Sequence, residues 1–200
     1  MRKIIVFNRI SIDGYFASLN QETWGMDWFI FDPEVDKAAR ELGDSKEPPL
    51  LLMGGITYSG FERSWVPHLT DPNSPPAMRT VAEELTKMTK LVFSKSIKTS
   101  NWENTRLFTG DLTDEIRKIK QDKGADIMIM GSGSIIQQLA KVNLIDDYIF
   151  IVSPVIAGQG KTMFSNVPQT RLKLKSSQSF KSGNLLLHYT LSEVENKVES

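Results

Sequence analysis

The chain has 200 residues, 40% hydrophobic and 24% charged, with zero formal net charge and no cysteine. That length fits one domain, and a domain of this size buries roughly 70% of its unfolded surface. The charge balance argues against a nucleic-acid binder working by general electrostatics, and the missing cysteine excludes thiolate metal sites, disulfides and cysteine nucleophiles.

The N-terminus, Met1-Arg-Lys-Ile-Ile-Val-Phe7, holds only a four-residue apolar run. That is too short for a signal peptide or a membrane span, so no membrane partner is expected and the cytoplasm is the default location. Lys3 to Ile10 reads as a buried first strand because Ile4, Ile5, Val6 and Phe7 follow one another. Ser11-Ile-Asp-Gly14 signals a turn. Asp32-Pro33 opens a helix to about Leu42, with Asp as N-cap and Pro at the first helical position. Leu50 to Met53 is a second buried strand, followed by Gly54-Gly55 and a helix from about Thr57. Thr70 to Pro76 reads as a mobile loop, and a helix from about Met78 to Met88 leads into the strand Lys90 to Phe93. Arg106 to Phe108 is a short strand and Asp111 to Lys123 a helix, with Asp111 or Thr113 as cap. Ile127 to Met130 is a buried strand that runs into Gly131-Ser-Gly-Ser134 and a further helix. Asp147 to Pro154 is another strand. Leu172 to Phe180 and Leu185 to Leu191 flank a hairpin turn at Lys181-Ser-Gly-Asn184. The pattern gives one domain over 1–192 and a polar tail, 193–200. Strands alternating with helices, then a hairpin, predict an α/β fold. Its sheet is mostly parallel, with helices on both faces and a C-terminal antiparallel edge.

Ligands in such sheets gather at the carboxyl ends of the strands. Three strand ends suit a phosphate-bearing cofactor: Gly54, Gly55 and Thr57; Ser94, Lys95 and Ser96; and Gly131, Ser132, Gly133 and Ser134. Glycine lets the backbone approach a bulky ligand, and the free N–H groups of a following helix favour negative charge. Each piece also has a plain reading as a tight turn or a solvated loop. The Gly131 turn is a poor doubly wound dinucleotide fingerprint, because Ile136 stands where the third glycine belongs.

The chain resembles the dihydrofolate-reductase-like superfamily. More closely, it is similar to stand-alone relatives of the C-terminal reductase domain of the riboflavin-biosynthesis deaminase/reductase. The resemblance rests on Ile10-Ser-Ile-Asp-Gly-Tyr-Phe-Ala17, Gly25-Met-Asp-Trp-Phe29, Leu52-Met-Gly-Gly-Ile-Thr-Tyr58, Val92-Phe-Ser-Lys-Ser-Ile97, Met130-Gly-Ser-Gly-Ser134 and Ser153-Pro-Val-Ile-Ala-Gly-Gln-Gly-Lys-Thr-Met-Phe164. It implies the three-layer dihydrofolate-reductase-like fold, NADPH as hydride donor, a heterocycle or its ribose adduct as acceptor, and a homodimer. It also implies that Gly54, Gly55 and Thr57 lie on the pyrophosphate side and Ser94 and Lys95 at the adenosine phosphate. Gly131 to Ser134 form the second glycine turn, and the loop Asp13 to Phe16 lies beside the nicotinamide. The family usually carries arginine where this chain has Gly55, so a bidentate clamp on the 2′-phosphate is missing and NADPH-over-NADH preference is open.

The acids Asp13 and Asp27 are the candidate proton carriers. Asp27 stands between Met26 and Trp28, where burial would raise its pKa. Asp13 also fits a turn with Gly14, and Asp27 a helix cap. Tyr15, Trp24 and Trp28 are candidates for stacking on a flat substrate, although core packing is the commoner work of tryptophan. His68 sits in a polar loop and His188 alternates within the last strand, where a half-exposed structural role is expected; no pair has metal-ligand spacing. The chain has no room for a fused deaminase and lacks its His/Cys zinc signature. A dihydrofolate reductase and a non-catalytic NADP(H)-binding protein remain alternative readings.

Overall fold

The computed structural model describes residues 1–20, 22–23, 25–42 and 47–192. Trp24 and the tail 193–200 lie outside the described residues. The strands are β1 (Ile4–Ser11), β2 (Tyr15–Ala17), β3 (Leu50–Gly54), β4 (Lys90–Phe93), β5 (Thr105–Phe108), β6 (Ile127–Met130), β7 (Asp147–Ser153), β8 (Lys161–Thr162), β9 (Leu172–Ser179) and β10 (Leu185–Leu191). The helices are α1 (Pro33–Glu41), α2 (Gly55–Trp65), α3 (Pro76–Lys87), α4 (Leu112–Gln121) and α5 (Gly133–Lys141), with a short 3-10 helix at Val66–Leu69.

Eight strands form one sheet in the order β5-β4-β3-β6-β1-β7-β10-β9. Neighbours from β5 to β7 pair in parallel, while β10 runs antiparallel to both β7 and β9. The apolar runs fall where both faces are covered: Ile4 and Val6 of β1 and Ile127 and Ile129 of β6 are all fully buried. Period-two alternation divides these side chains between two faces. Ile4, Val6, Leu52, Ile127 and Ile129 pack with Ile116 of α4 and with Ile135, Ile136 and Leu139 of α5. Ile5 packs with Val35 and Ala39 of α1 on the other face, where Leu51 and Met53 meet Tyr58 of α2 and Leu85 of α3.

Local chemistry sets the helix boundaries. Asp32 accepts from the Glu34 N–H at 2.9 Å and Asp111 from the Asp114 N–H at 3.0 Å, so α1 and α4 start at the anticipated acids. α2 begins earlier than expected, at Gly55, because the chain turns directly out of β3. The segment expected as a mobile loop is pinned: Ser74 is buried, its hydroxyl lies 2.7 Å from His68 Nδ1, and the Asp71 carbonyl accepts from Arg79 at 2.8 Å. His188 is buried rather than half-exposed, with Nε2 2.6 Å from Asp147 Oδ1 at the start of β7. A small second sheet pairs β2 with β8. Among the described residues, no helix is long and apolar enough to cross a membrane.

Candidate cofactor and substrate cleft

A cleft of about 1650 Å³ opens at the carboxyl ends of β1, β3, β4 and β6. Of the anticipated cofactor residues, Gly54, Gly55 and Thr57, Ser94 and Lys95, Gly131, Ser132, Gly133 and Ser134, and Phe16 line it, while Ser96 does not. Segments as far apart in sequence as 16 and 134 thus share one cavity wall.

Gly131 and Ser132 both have positive φ, at 65° and 58°, which bends the chain sharply from β6 into α5. Glycine adopts that conformation readily; Ser132 is held there by its contacts. Its buried hydroxyl accepts from the Gly54 N–H at 2.8 Å and donates to Thr57 Oγ1 at 2.7 Å. One side chain therefore ties the two glycine turns to each other. The Gly131 N–H donates to Asn8 Oδ1 at 2.7 Å, which adds β1 to the same frame. Two glycines mark close approaches: a Cβ on Gly55 would stand 2.6 Å from Ser94 Oγ, and one on Gly133 would stand 3.1 Å from the Phe16 ring. A side chain at position 55 would crowd the Ser94 side chain just past the end of β4. The Ser94 hydroxyl is engaged locally, accepting from the Ile97 N–H at 3.1 Å and the Ser96 N–H at 3.2 Å.

The helix termini at this wall suit an anion. α1 and α4 each have an aspartate cap and acidic residues in the first turn. α2 and α5 have neither a side-chain cap bond nor an acid in the first turn. Uncapped first-turn N–H groups and the positive end of the helix dipole attract phosphate. Lys95 is exposed at the same rim. The residues therefore fit a dinucleotide diphosphate.

The anticipated catalytic acids and stacking residues are placed otherwise. Asp13 is exposed and does not line the cleft. Its carboxylate accepts from the Ala157 N–H at 3.0 Å and the Gly158 N–H at 2.7 Å, clipping two loops together. The Ser11 hydroxyl and the Ala157 amide hold its pKa at about 2, far from a proton donor at neutrality. Asp27 is exposed, not buried, and also lies off the cleft. Its Oδ1 accepts from the Ser18 and Thr23 hydroxyls, and these bonds lower its pKa instead of raising it. Tyr15 packs near Gly160, outside the cleft. Trp28 does not line the cleft; its Nε1 is buried without a hydrogen-bond partner among the described residues, and its ring meets Phe29 edge to face at 4.4 Å. Phe29, one residue on, is the aromatic that lines the cavity.

The sequence reading missed much of the rest of the wall. Phe7 and Arg9 of β1, Phe61, Ser64 and Trp65 of α2, and His68 also line the cavity. Alternation along β1 was the available signal. Phe7 and Arg9 share a face with Ile5, and that face looks toward α1.

A family model described as the RibD C-terminal domain matches residues 2–186. The uncharacterized protein YyaP of Bacillus subtilis (strain 168) is 27% identical over 194 residues, covering 94% of each chain. The diaminohydroxyphosphoribosylaminopyrimidine deaminase/5-amino-6-(5-phosphoribosylamino)uracil reductase of Thermotoga maritima superposes with TM-score 0.65 at 14% identity, over 96% of this chain and 57% of that one. Dihydrofolate reductase from Enterococcus faecalis, complexed with NADP(H), superposes with TM-score 0.62 at 12% identity, over 96% of this chain and 97% of its own. The architecture is the dihydrofolate-reductase-like fold.

Proposed function

Because the chain belongs to the RibD C-terminal domain family, we propose that it is an NADPH-dependent reductase of the kind typified by 5-amino-6-(5-phosphoribosylamino)uracil reductase. Its acceptor is a small heterocycle or a ribosylated one. A single observation carries the reading: the three glycine- and serine-bearing strand ends line one cleft, between two helix N-termini that no acid occupies.

When bound, the nicotinamide supplies the hydride. The chain's residues bind and orient. First-turn N–H groups of α2 and α5 hold the diphosphate, and Lys95 balances a 2′-phosphate as a point charge. Asn8 and Ser132 fix the turn that carries those N–H groups. Phe16, packed at Gly133, forms the wall next to it. The acceptor takes the remainder of the cleft, where the apolar rings among its lining residues, Phe7, Phe29 and Phe61, exclude water from the reacting atoms. Asp13, Asp27, Tyr15 and Trp28 have no part in this reading. We also propose a homodimer, supported by β9, which ends the sheet and is exposed along nearly its whole length.

The test is NADPH oxidation followed against a panel of pterins, flavins and ribosylated pyrimidines, with nucleotide binding measured by calorimetry in parallel. Turnover of a ribosylated pyrimidine is the expected result. Turnover of pterins alone makes the protein a dihydrofolate reductase. Binding without oxidation of any acceptor leaves a nucleotide-binding protein, and absence of heat with either pyridine nucleotide removes the cofactor site itself.

A further inference from the structure

The cleft runs past the strand ends along α2 and is bordered there by α3. Phe61 and Trp65 stand four residues apart on α2, and Met78 and Val81 three apart on α3, so each pair shares one helix face. All four line the cleft, together with Leu85 and His68. Phe61, Trp65, Val81 and Leu85 pack in one apolar cluster, and the His68 ring centre lies 6.1 Å from that of Trp65. These side chains therefore bound a single region. It is well separated from the diphosphate. At 1.5 Å per residue, Phe61 and Trp65 stand about 9 and 15 Å along α2 from Gly55.

The region is apolar with one directional contact. Phe61, Trp65 and Val81 are half-buried and Met78 is 39% exposed, so their side chains still present surface to the cavity. An anion gains little here. Trp65 is the last residue of α2, where the helix dipole turns its negative end outward. Arg63 also borders the cleft, but it is exposed and about half a turn round the helix from both rings. His68 supplies the directional contact. Its Nδ1 is held at 2.7 Å by the hydroxyl of buried Ser74. Its Nε2 has no partner among the described residues and is not one of the atoms shut away from solvent. The Ser74 hydroxyl can donate or accept, so Nε2 can present either a lone pair or an N–H. Two aromatic rings and a thioether favour an aryl group over an alkyl chain.

We propose that this region is an acceptor subsite for an aromatic substituent with a hydroxyl at its edge. Phe61, Trp65, Met78 and Val81 enclose the aryl ring, and His68 Nε2 hydrogen-bonds the hydroxyl. The proposal rests on the reductase reading above and specifies what the reducible ring carries. A ribosylated pyrimidine still reacts through its ring, but it sets a polyol against an apolar wall. An aryl group covers that wall and removes its surface from water.

The experiment titrates the NADP+-loaded protein by calorimetry with three uracils that share one ring: 6-(ribitylamino)uracil, 6-(benzylamino)uracil and 6-(4-hydroxybenzylamino)uracil. The oxidised cofactor keeps the acceptor from being consumed. In the wild type the benzyl compound is expected to bind about 10-fold more tightly than the ribityl one, and the hydroxyl to add about 5-fold. Met78→Gln, at an exposed position that does not threaten the fold, and Trp65→Ala are each expected to shrink the benzyl preference while leaving NADP+ affinity unchanged. His68→Phe is expected to keep the benzyl preference and lose the gain from the hydroxyl. Ribityl binding as tight as benzyl, absence of binding by all three, a benzyl preference unchanged in both Met78→Gln and Trp65→Ala, or a hydroxyl gain that survives in His68→Phe overturns the proposal. Failure of the wild type to bind NADP+ is a separate result and counts against the reductase reading.

Discussion

In the proposed reading Lys95, exposed at the cleft rim, is the cation set against a 2′-phosphate. A Cβ on Gly55 would stand 2.6 Å from Ser94 Oγ, so a side chain there has to displace the Ser94 hydroxyl. A single ammonium on an exposed stem is a weaker phosphate ligand than a guanidinium fork. Lys95→Ala is therefore expected to raise the Kd for NADPH by about 5- to 10-fold, the effect of one partly exposed ion pair with phosphate, and to leave NADH nearly unchanged. Calorimetry with both nucleotides checks this; equal losses would remove Lys95 from the phosphate. Glycine was the residue type most legible here, because its two reasons, positive φ and close approach, leave a mark in the sequence. The direction of a polar side chain left none. Ser132 reads as a phosphate ligand, and nothing in the sequence signals that its hydroxyl is also a strut between two turns. Asp27 has apolar neighbours along the chain, yet the loop folds it toward Ser18 and Thr23, so its pKa moves down. Sequence adjacency does not report burial in an irregular segment.

At the scale of elements, β4 and α3 are joined through a buried cation. Lys90 opens β4 and is completely buried. Its Nζ donates to the carbonyls of Leu85 and Met88 at 2.8 Å each and of Thr86 at 3.1 Å, and it lies 4.5 Å from the Trp102 ring. These are the carbonyls left over at the end of α3, so the lysine of the following strand caps the preceding helix. Lys90→Met keeps the volume but strands those acceptors, which is expected to cost about 2–3 kcal/mol in urea denaturation. The pH dependence has a definite sign. Burial pulls Lys90 down to about 8 from 10.5, with Glu103 opposing. Between those values the unfolded chain holds the proton more tightly than the folded one, so the contribution of Lys90 to stability increases as pH rises through that window. In Lys90→Met that rise is expected to disappear; a stability curve parallel to the wild type from pH 8 to 10.5 would contradict the assignment. Capped helices and strands with runs of apolar residues were readable because their signals are local. The two- and three-residue strands β8 and β2 carry no periodicity of their own and exist only because the loops after β1 and β7 meet. The Lys90 cap was hidden for a similar reason, since a lysine at a strand start ordinarily reads as exposed.

For the molecule as a whole, the parallel sheet with an antiparallel end follows from the alternation of elements, but the strand order does not. Placing β6 between β3 and β1 depends on crossovers that pass over the sheet, and local residues do not encode them. That order is what turns three separate glycine signals into one cavity, because it sets the ends of β4, β3 and β6 side by side. A ligand lying across them contacts α2 and α5, which pack on opposite faces of the sheet, and so it links both layers of the core. Binding of this kind is confined to the folded state, since the unfolded chain has no such rim. Linkage then fixes the magnitude: NADPH at about 100 times its Kd adds about 2.7 kcal/mol. For a domain of this size that corresponds to a melting temperature higher by about 5–10 °C. The shift is expected to keep growing with the logarithm of NADPH concentration beyond saturation, which distinguishes linkage from a nonspecific salt effect. Differential scanning calorimetry at increasing NADPH makes the measurement, with inorganic diphosphate as a comparison. A diphosphate can occupy the two helix termini but has no nucleoside ends to lie along the strand ends, so it should bind more weakly and shift the transition less at equal concentration. Equal shifts from the two compounds would mean that the nucleoside ends contribute nothing, and the cleft would then be a simple anion site instead of a dinucleotide one.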